Sequence, residues 1–226
     1  MKYITTAVLA AGLAVSAFSV QAQQGEITAN VNFTNDYRLR GISQSDRSRA
    51  VQGGFEYNRD SGIYAGVWAS SIDFADSVMM SYYGGFKSEL TDTIDYDVGV
   101  RVYEYPGLSA LNNIEVYGGL SYAGITGKLT YSDDYFGSSA RAVYGELGYG
   151  MDLAPNLSLD LHIGMTEANK NLFGSKDRYF DYGVSLGTSV MGLDVSAGWV
   201  DTNLNKGNCG SNACGSRMLL SVGKSL

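Results

Sequence analysis

From Glu26 to the end of the chain, apolar and polar residues alternate in successive stretches of roughly ten residues. The clearest stretch is residues 157–165, in which every odd position is large and apolar and every even position is Ser, Asp, His or Gly. Because successive side chains of a strand point to opposite faces, each stretch predicts a strand with one apolar and one polar face. No segment carries an apolar stripe of helical period and length, so the pattern predicts an all-β fold.

The alternation predicts twelve strands. Their bounds are Glu26–Asn35, Ala50–Asn58, Ile63–Ile72, Val78–Lys87, Ile94–Tyr103, Asn113–Tyr122, Ile125–Ser132, Ala140–Gly150, Leu157–Thr166, Tyr179–Val190, Leu193–Asp201 and Arg217–Leu226. Most have the length of about 9–11 residues at which a tilted strand crosses a bilayer, whereas strands of globular proteins mostly have about five or six.

The connections between these strands alternate in length. The short ones are Arg59–Gly62, Ser88–Thr93, Ala123–Gly124, Met151–Asn156 and Met191–Gly192. Most of the others are longer and polar: Asp36–Arg49, Asp73–Ser77, Glu104–Asn112, Asp133–Ser139, Glu167–Arg178 and Thr202–Ser216. Short turns at one end and longer loops at the other are typical of an outer-membrane barrel. The sequence therefore predicts a closed transmembrane antiparallel up-and-down β-barrel whose polar inner face surrounds a wet lumen.

The N-terminus predicts a secretory signal peptide. Lys2 precedes the apolar run from Ile4 to Val20, and small or branched residues at Val20 and Ala22 place the expected cleavage after Ala22. A retained anchor is the alternative, but the run is short for a spanning helix. Residues 1–22 are then removed, and residues 23–226 form a single barrel domain in the outer membrane of a Gram-negative bacterium, reached through the periplasm.

Composition agrees with a barrel and narrows the function. The 226 residues include 29 Gly, 17 Tyr and only 2 Pro, and the formal net charge is −7. Gly and Tyr in such numbers suit tight turns and strands rather than helices. The sequence has no basic stripe for nucleic acid, no Gly-rich phosphate cradle and no cofactor motif, so we expect neither a nucleic-acid partner nor a cofactor.

Several segments carry a family resemblance. Residues 35–45 (NDYRLRGISQS) are the most specific, and residues 52–57 and 62–70 continue the pattern. Residues 103–107, residues 134–137 and the pair of cysteines near the end add weaker matches. Together they resemble the TorF family of proteobacterial porins over essentially the whole chain after the signal peptide. The resemblance implies an outer-membrane β-barrel of porin type with no settled substrate.

The polar face predicts the residues that line the pore. By parity, and with two arginines near the pore mouth, they are Arg38, Arg40, Glu56, Asp95, Asp97, Arg101, Glu115, Lys128, Glu146, Asp160, His162, Asp181 and Asp194. Carboxylates outnumber cations, which favours a mildly cation-selective pore. If their segment is extended, Arg38 and Arg40 share a face. They then form a cationic patch at the pore mouth or, as the alternative, salt bridges to lumen carboxylates or contacts with lipid headgroups. The strands around Tyr64 and Tyr83 are apolar on both faces, so their register stays open.

Three smaller constellations have alternative explanations. Cys209 and Cys214 predict a disulfide in an exported chain, which stabilises a short loop by roughly 2 kcal/mol and stiffens a loop tip rather than holding the barrel. A metal site there would need more ligands. His162 is the only histidine, and without a nucleophile elbow a lipid hydrolase is the minor alternative. Asp92, Asp95 and Asp97 resemble only a fragment of a calcium loop.

The sequence therefore predicts a narrow channel for passive diffusion of small hydrophilic solutes or ions, and no enzyme. A barrel of twelve strands lies between the filled eight-stranded barrels and the open sixteen-stranded porins. The expected partners are outer-membrane lipids, the transported solutes or ions, and the outer-membrane assembly machinery. The alternative from another class is a plugged barrel that acts through its loops as an adhesin or a structural protein.

Overall fold

A computed structural model describes residues 25–209 and 212–226, and the expected signal peptide lies outside these residues. The strands are β1 Glu26–Thr34, β2 Arg38–Leu39, β3 Ile42–Ser43, β4 Ala50–Asn58, β5 Ile63–Ser71, β6 Val78–Thr91, β7 Ile94–Glu104, β8 Asn113–Tyr122, β9 Ile125–Ser132, β10 Ala142–Ala154, β11 Leu157–Ala168, β12 Arg178–Val190, β13 Leu193–Thr202 and β14 Arg217–Ser225. Short helical turns occupy Ser109–Leu111, Tyr135–Gly137 and α1 Lys206–Cys209.

Twelve of the described strands form one closed antiparallel barrel, and β2 and β3 form a separate two-stranded ladder. Each barrel strand pairs with its neighbours in sequence, and β1 closes the ring by pairing with both β4 and β14. Closure satisfies the hydrogen-bonding groups that an edge strand would expose. The predicted fold is confirmed. Within the described ranges, no helix is long and apolar enough to span a membrane.

The connections define two ends of the barrel. The loop end carries six loops, which we call L1 (residues 35–49), L2 (72–77), L3 (105–112), L4 (133–141), L5 (169–177) and L6 (203–216), whereas the turn end carries five short turns. Two of these turns are two residues long with positive φ at both positions, Ala123–Gly124 and Met191–Gly192. That geometry is the type I′ turn, whose twist matches that of the adjoining strands.

Two predicted turns are wrong. Ser88–Thr93 and Met151–Asn156 were expected to be loops, but β6 continues to Thr91 and β10 continues to Ala154. Antiparallel ladders are held by main-chain hydrogen bonds, so pairing continues through polar residues that break the alternation. Each extension contains a register shift, between Glu89 and Thr91 and between Asp152 and Ala154, where a bulge accommodates an unpaired residue.

The outer surface of the barrel is apolar. Large side chains on it are solvent-exposed in the isolated chain, including Ile27, Phe33, Val98 and Phe180, which were expected on this face. The structure also sets the register that the sequence left open, because Trp68 of β5 pairs with Ser81 of β6. Tyr64, Trp68 and Tyr83 therefore point inward, whereas Tyr82 is exposed on the outside and contacts Met80.

The packed core lies at the loop end, inside the barrel. One buried cluster contains Tyr37, Ala50, Ile72, Met79, Tyr103 and Tyr105. The other contains Tyr135, Ala142, Ala168, Phe173, Tyr179, Leu204 and Cys214. The expectation of a wet lumen along the whole barrel is therefore wrong for the half next to the loops, the loop half. Its inner wall is covered because apolar side chains of the loops fold into it. The other half, the turn half, keeps water-accessible polar groups.

Candidate functional site

The barrel interior is the candidate functional site, and a hairpin of L1 is its most prominent feature. Strands β2 and β3 are joined by Arg40 and Gly41, whose φ angles are 50° and 78°. A two-residue turn with both φ positive is again the type I′ geometry, which suits Gly at the second position. The hairpin and its flanking residues, residues 36–45, lie inside the loop half, and we call them the plug.

The tip of the plug contacts the barrel wall through a buried ion pair. Nη2 of Arg40 donates to both carboxylate oxygens of Glu115 on β8 at 2.8 Å, and both side chains are more than nine-tenths buried. The guanidinium also lies over the rings of Tyr144 and Tyr135, 4.5 and 5.4 Å from their centroids. Tyr179 donates to the main-chain oxygen of Arg40 at 3.0 Å. The tip is thus held by the wall on several sides.

The charge of Arg40 persists in this buried position. Burial, the strongest influence, acts to lower the pKa of Arg40, but the carboxylate of Glu115 and neighbouring tyrosines raise that pKa well above its ordinary value. A buried charge is tolerated only when it is paired and hydrogen-bonded, and both conditions are met here. The salt-bridge alternative for Arg40 therefore agrees with the structure, while an exposed cationic patch does not.

The tip turn requires glycine at its second position. A Cβ added at Gly41 would lie 2.5 Å from Cγ2 of Thr202 and 2.7 Å from Cβ of Asp181, which is too close for van der Waals contact. Its φ of 78° also disfavours any residue with a Cβ. Close approach and backbone conformation together explain why a glycine stands where the plug meets β12 and β13.

The base of the plug is organised by Asp36, whose side chain is fully buried. Its carboxylate accepts hydrogen bonds from Nε of Arg38 at 2.9 Å and from the hydroxyls of Ser43 and Ser45 at 2.5 and 3.2 Å. The guanidinium of Arg38 also donates to the main-chain oxygen of Gly41 at 2.8 Å. Asp36 thereby links both strands of the hairpin and fixes the shape of the plug.

Loop L6 packs against the plug from the loop end. It carries the Cys209–Cys214 disulfide, which the structure contains as expected. The expectation that this bridge only stiffens a loop tip is wrong, because Cys214 is fully buried in the core cluster of L4, L5 and L6. The oxygen of Cys214 accepts a hydrogen bond from Thr202 at 2.8 Å, which ties the bridge to the end of β13.

A polar cluster lies directly beneath the plug tip. Nε2 of His162 is 2.7 Å from Oδ1 of Asp181, and the hydroxyl of Tyr144 is 3.2 Å from that same oxygen. Nδ1 of His162 lies 3.9 Å from Glu146, which is in turn 3.3 Å from Nζ of Lys128. The side chain of Asp181 is almost fully buried, whereas that of His162 is partly exposed. His162 therefore stands at the boundary between the two halves.

Below this boundary, one wall of the turn half is a network of tyrosines and charges. On strands β4 to β8, Tyr64 donates to Asp97 at 2.5 Å and contacts the hydroxyl of Tyr117 at 2.5 Å, while Tyr83 donates to Glu56 at 3.0 Å. Cations stack over these rings at 5.0–5.4 Å: Lys87 over Tyr64, Arg101 over Tyr83 and Lys128 over Tyr117. Tyrosine rings and their hydrogen-bonded partners therefore cover much of this wall.

The opposite wall, formed by β11 to β14 and β1, carries small residues and borders a cavity of about 690 Å³. The cavity runs from Asp36 and Arg38 at the base of the plug to Pro155 and Asn156 at the turn end. Between these ends, its polar lining includes Asn32, Thr34, Gln52, Asp152, Ser158, Asp160, His162, Ser185, Thr188, Ser189, Asp194, Ser196 and Ser221. A smaller pocket of about 100 Å³ lies beside Lys128 and Glu146.

The structure distributes the predicted pore-lining residues between the two halves. Arg38, Arg40, Glu115 and Asp181 are buried in the loop half, and Arg101, which pairs across from Glu115, stacks over Tyr83 and Tyr103 where the tyrosine network meets that half. The remaining predicted residues belong to the turn half: Glu56, Asp95, Asp97, Lys128, Glu146, Asp160, His162 and Asp194. Within the described ranges, no three His, Cys, Asp or Glu side chains come together as metal ligands.

Sequence reasoning missed Asp36 and the inward tyrosines. Asp36 falls in a loop, where parity gives no face, although it lies in the most specific part of the family resemblance. Each inward tyrosine ring packs against a glycine of a neighbouring strand, as Tyr64 does against Gly85 and Tyr117 against Gly99. The tyrosines are Tyr64, Tyr83, Tyr117 and Tyr144. Glycine on one strand beside tyrosine on the next is the signal that identifies these positions.

Residues 20–225 match the model of a family described as "Bacterial protein of unknown function (Gcw_chp)". The chain belongs to the Gcw_chp family. No curated protein matches this Gcw_chp chain.

Solved structures similar to this Gcw_chp protein include porins. The KdgM porin matches with a TM-score of 0.58 and 9% identity, over 87% of this chain and 99% of that chain. A KdgM porin in complex with disordered oligogalacturonate matches equally well over the same shares, at 8% identity. The NanC porin matches with a TM-score of 0.56 and 10% identity, over 86% and 97% of the two chains. At these identities the similarity concerns the fold.

Proposed function

We propose that this protein is a narrow outer-membrane channel through which small hydrophilic solutes or ions diffuse passively. The observation that carries the proposal is a cavity of about 690 Å³, bordered by charged groups such as Asp160 and Asp194, inside a closed barrel whose outer surface is apolar. An apolar exterior suits lipid, and a polar interior that holds water suits solutes. No step of the proposed transport needs chemistry, so the protein is a channel rather than an enzyme.

The proposed placement follows from the two ends of the barrel. The turn end faces the periplasm and the loop end faces outward, because short turns are periplasmic in bacterial barrels. Cleavage after Ala22 and insertion by the outer-membrane assembly machinery complete this proposal. The resemblance of residues 35–45 to the TorF family, and the barrel that this chain has in common with KdgM and NanC, support the porin assignment.

We also propose that the channel prefers cations. In the turn half, the inward carboxylates with access to water are Glu56, Asp95, Asp97, Glu146, Asp152, Asp160 and Asp194. The water-accessible cations of this half are Lys87 and Lys128, which lie 3.9 Å from Glu56 and 3.3 Å from Glu146. An excess of carboxylates along a wet wall attracts cations and repels anions.

A second candidate function is supported by the packed loop half. The plug and the aromatic residues of L2, L3 and L4 cover the inner wall, with Tyr105 stacked between Phe74 and Phe136. A barrel that stays plugged would act through its loops, as an adhesin or a structural protein of the outer membrane. The two candidates differ in one measurable property, which is whether ions cross the folded protein.

Conductance of the refolded protein in a planar bilayer, with a salt gradient across it, tests the proposal. We expect discrete current steps and a reversal potential that favours cations. A bilayer that stays silent while gel migration shows a folded, heat-sensitive barrel would support the plugged alternative. A reversal potential that favours anions would remove the cation preference and leave the channel.

The minor enzymatic alternative has its own test. His162 faces Asp181 and Tyr144 rather than a nucleophilic serine. We expect no hydrolysis of phospholipid or short-chain ester by the refolded protein. Hydrolysis that disappears in His162→Ala would overturn this expectation.

A further inference from the structure

The plug is hydrogen-bonded to the disulfide loop as well as to Thr34 at the end of β1. The amide of Ser43 donates to the oxygen of Ala213 at 3.0 Å, and Nη1 of Arg38 donates to the oxygen of Gly215 at 2.8 Å. Just beyond the plug, Arg47 donates to main-chain oxygens of Asn212 and Ser216 at 3.0 and 3.1 Å. The acceptors in L6 are all main-chain oxygens of residues 212–216, on either side of Cys214.

These acceptors depend on the path of the L6 backbone. A main-chain oxygen cannot move by side-chain rotation, so its position is set by the backbone conformation of the loop that carries it. The Cys209–Cys214 bridge closes a short loop, and the Thr202 hydroxyl holds the oxygen of Cys214. The bridge therefore restricts the two acceptors inside the closed ring, Asn212 and Ala213, and anchors the start of the segment that carries Gly215 and Ser216.

The contacts at the tip and base of the plug indicate that the plug can move. Its tip is held by the ion pair of Arg40 with Glu115 and by the hydrogen bond from Tyr179 to the main chain of Arg40, and the cavity lies against its base at Asp36 and Arg38. A buried ion pair contributes little net stability, because both charges recover hydration when they separate into water. Withdrawal of the plug would hydrate Arg40, Asp36 and Glu115 and join the cavity to the loop end.

We propose that the disulfide loop is a clamp that holds the plug in the lumen, and that the channel opens when the plug leaves Glu115. This inference rests on the proposed channel function. The clamp consists of Cys209, Cys214 and the acceptor oxygens of residues 212–216, and its counterpart is the side of the plug formed by Arg38, Ser43 and the adjoining Arg47. Loss of either side raises the fraction of time that the channel is open.

Single-channel recording of the full-length mature protein tests the clamp, with four variants beside the parent. Arg40→Glu places like charges at the tip and serves as the reference for a released plug. Cys209→Ser with Cys214→Ser removes the bridge, and Arg47→Ala removes two bonds to L6 while it leaves the bridge intact. Arg141→Ala is the matched control, because Arg141 lies in L4 at the same end and its side chain makes no ion pair among the described residues. Gel migration confirms that each variant is a folded barrel.

We expect the cysteine variant and Arg47→Ala to raise the open probability at least threefold, towards the value of Arg40→Glu, while Arg141→Ala matches the parent. If Arg40→Glu conducts and both clamp variants behave as the parent, the clamp is overturned and the channel function stands. If neither the parent nor Arg40→Glu conducts, the channel function itself is overturned. A silent Arg40→Glu beside a conducting parent overturns the release of the plug as the opening step. Should the cysteine variant fail to fold, Arg47→Ala alone decides the outcome.

Discussion

The two halves of the barrel are built from the same alternating strands, yet their interiors differ. In the loop half, inward carboxylates such as Glu115 and Asp181 are buried beneath loops, and their charges are paired or hydrogen-bonded. In the turn half, Asp160 and Asp194 border a cavity and make no ion pair among the described residues. The polarity of a strand face therefore does not decide whether water reaches it. The loops that cover the face decide this.

Removal of the ion pair at the plug tip should reduce the difference between the two halves more than any other change. Replacing Arg40 by Ala leaves the buried carboxylate of Glu115 uncompensated, which typically costs about 3–5 kcal/mol. We expect the plug to leave the lumen, so that the loop half becomes as hydrated as the turn half. Hydrogen exchange at the amides of residues 36–45 measures this change.

The control for this prediction removes both charges. Arg40→Met with Glu115→Leu keeps the volume and leaves no unpaired charge, so we expect exchange close to that of the parent. Equally fast exchange in both variants would mean that the shape of the tip, rather than its charge, holds the plug.

The glycine of the tip turn provides a smaller perturbation. Gly41→Ala adds a Cβ at a φ of 78° and against Thr202, and the backbone term alone is worth about 1–2 kcal/mol. We expect faster exchange in the plug and unchanged exchange in β5 and β7. Gly192→Ala is the matched control, because Gly192 also has positive φ but lies in a turn with open space around it. A plug that stays protected in Gly41→Ala would contradict the close packing of the tip.

A substitution in the tyrosine network tests the turn half separately from the plug. Tyr64→Phe removes the hydroxyl that links Asp97 with Tyr117, and a single hydrogen bond contributes about 1 kcal/mol. We expect a modest fall in the temperature at which the folded barrel changes its gel migration, with the plug still protected. Tyr82→Phe on the outer face is the control, because among the described residues its hydroxyl is hydrogen-bonded to the sulfur of Met80 alone. A larger fall for Tyr82→Phe would show that the inner network contributes nothing.

The smallest expected effect concerns selectivity. Asp160→Asn with Asp194→Asn removes two charges from the cavity wall, so we expect the reversal potential to move by a few millivolts towards zero. Asp60→Asn with Asp92→Asn removes the same charge from turns outside the lumen and should leave the potential unchanged. An equal shift in both double variants would assign the preference to the overall charge of the protein.

The sequence predicts the barrel well because each strand is decided locally. Alternation fixes which residues of a strand share a face, and the turns at Ala123–Gly124 and Met191–Gly192 carry residues that suit their geometry. Loops have no such period, so the inward path of L1 was not predicted. The signal for it is present, since Leu39-Arg40-Gly41-Ile42 reads as a two-residue hairpin between apolar residues. Its position depends on Glu115, Tyr179 and L6, which are distant in sequence.

The candidate site also contains residues that the sequence predicts and residues that it does not. Parity places Glu56, Asp97 and Glu146 on the inner face, where their hydrogen-bond and ion-pair partners lie. It does not separate these accessible groups from buried ones such as Asp181, because burial comes from contacts between loops and strands. The role of Asp36 is likewise set by Arg38, Ser43 and Ser45 folding back on it, which no single-strand pattern predicts.

The uneven distribution of fixed charge along the barrel axis has an electrical consequence. Unpaired carboxylates stand in the wide turn half, while the charges of the narrow loop half compensate one another. A pore that is charged and wide at one mouth, and nearly neutral and narrow at the other, accumulates mobile cations under one sign of voltage and loses them under the other. Current through this barrel would therefore rectify, so equal driving forces in opposite directions would carry unequal flux.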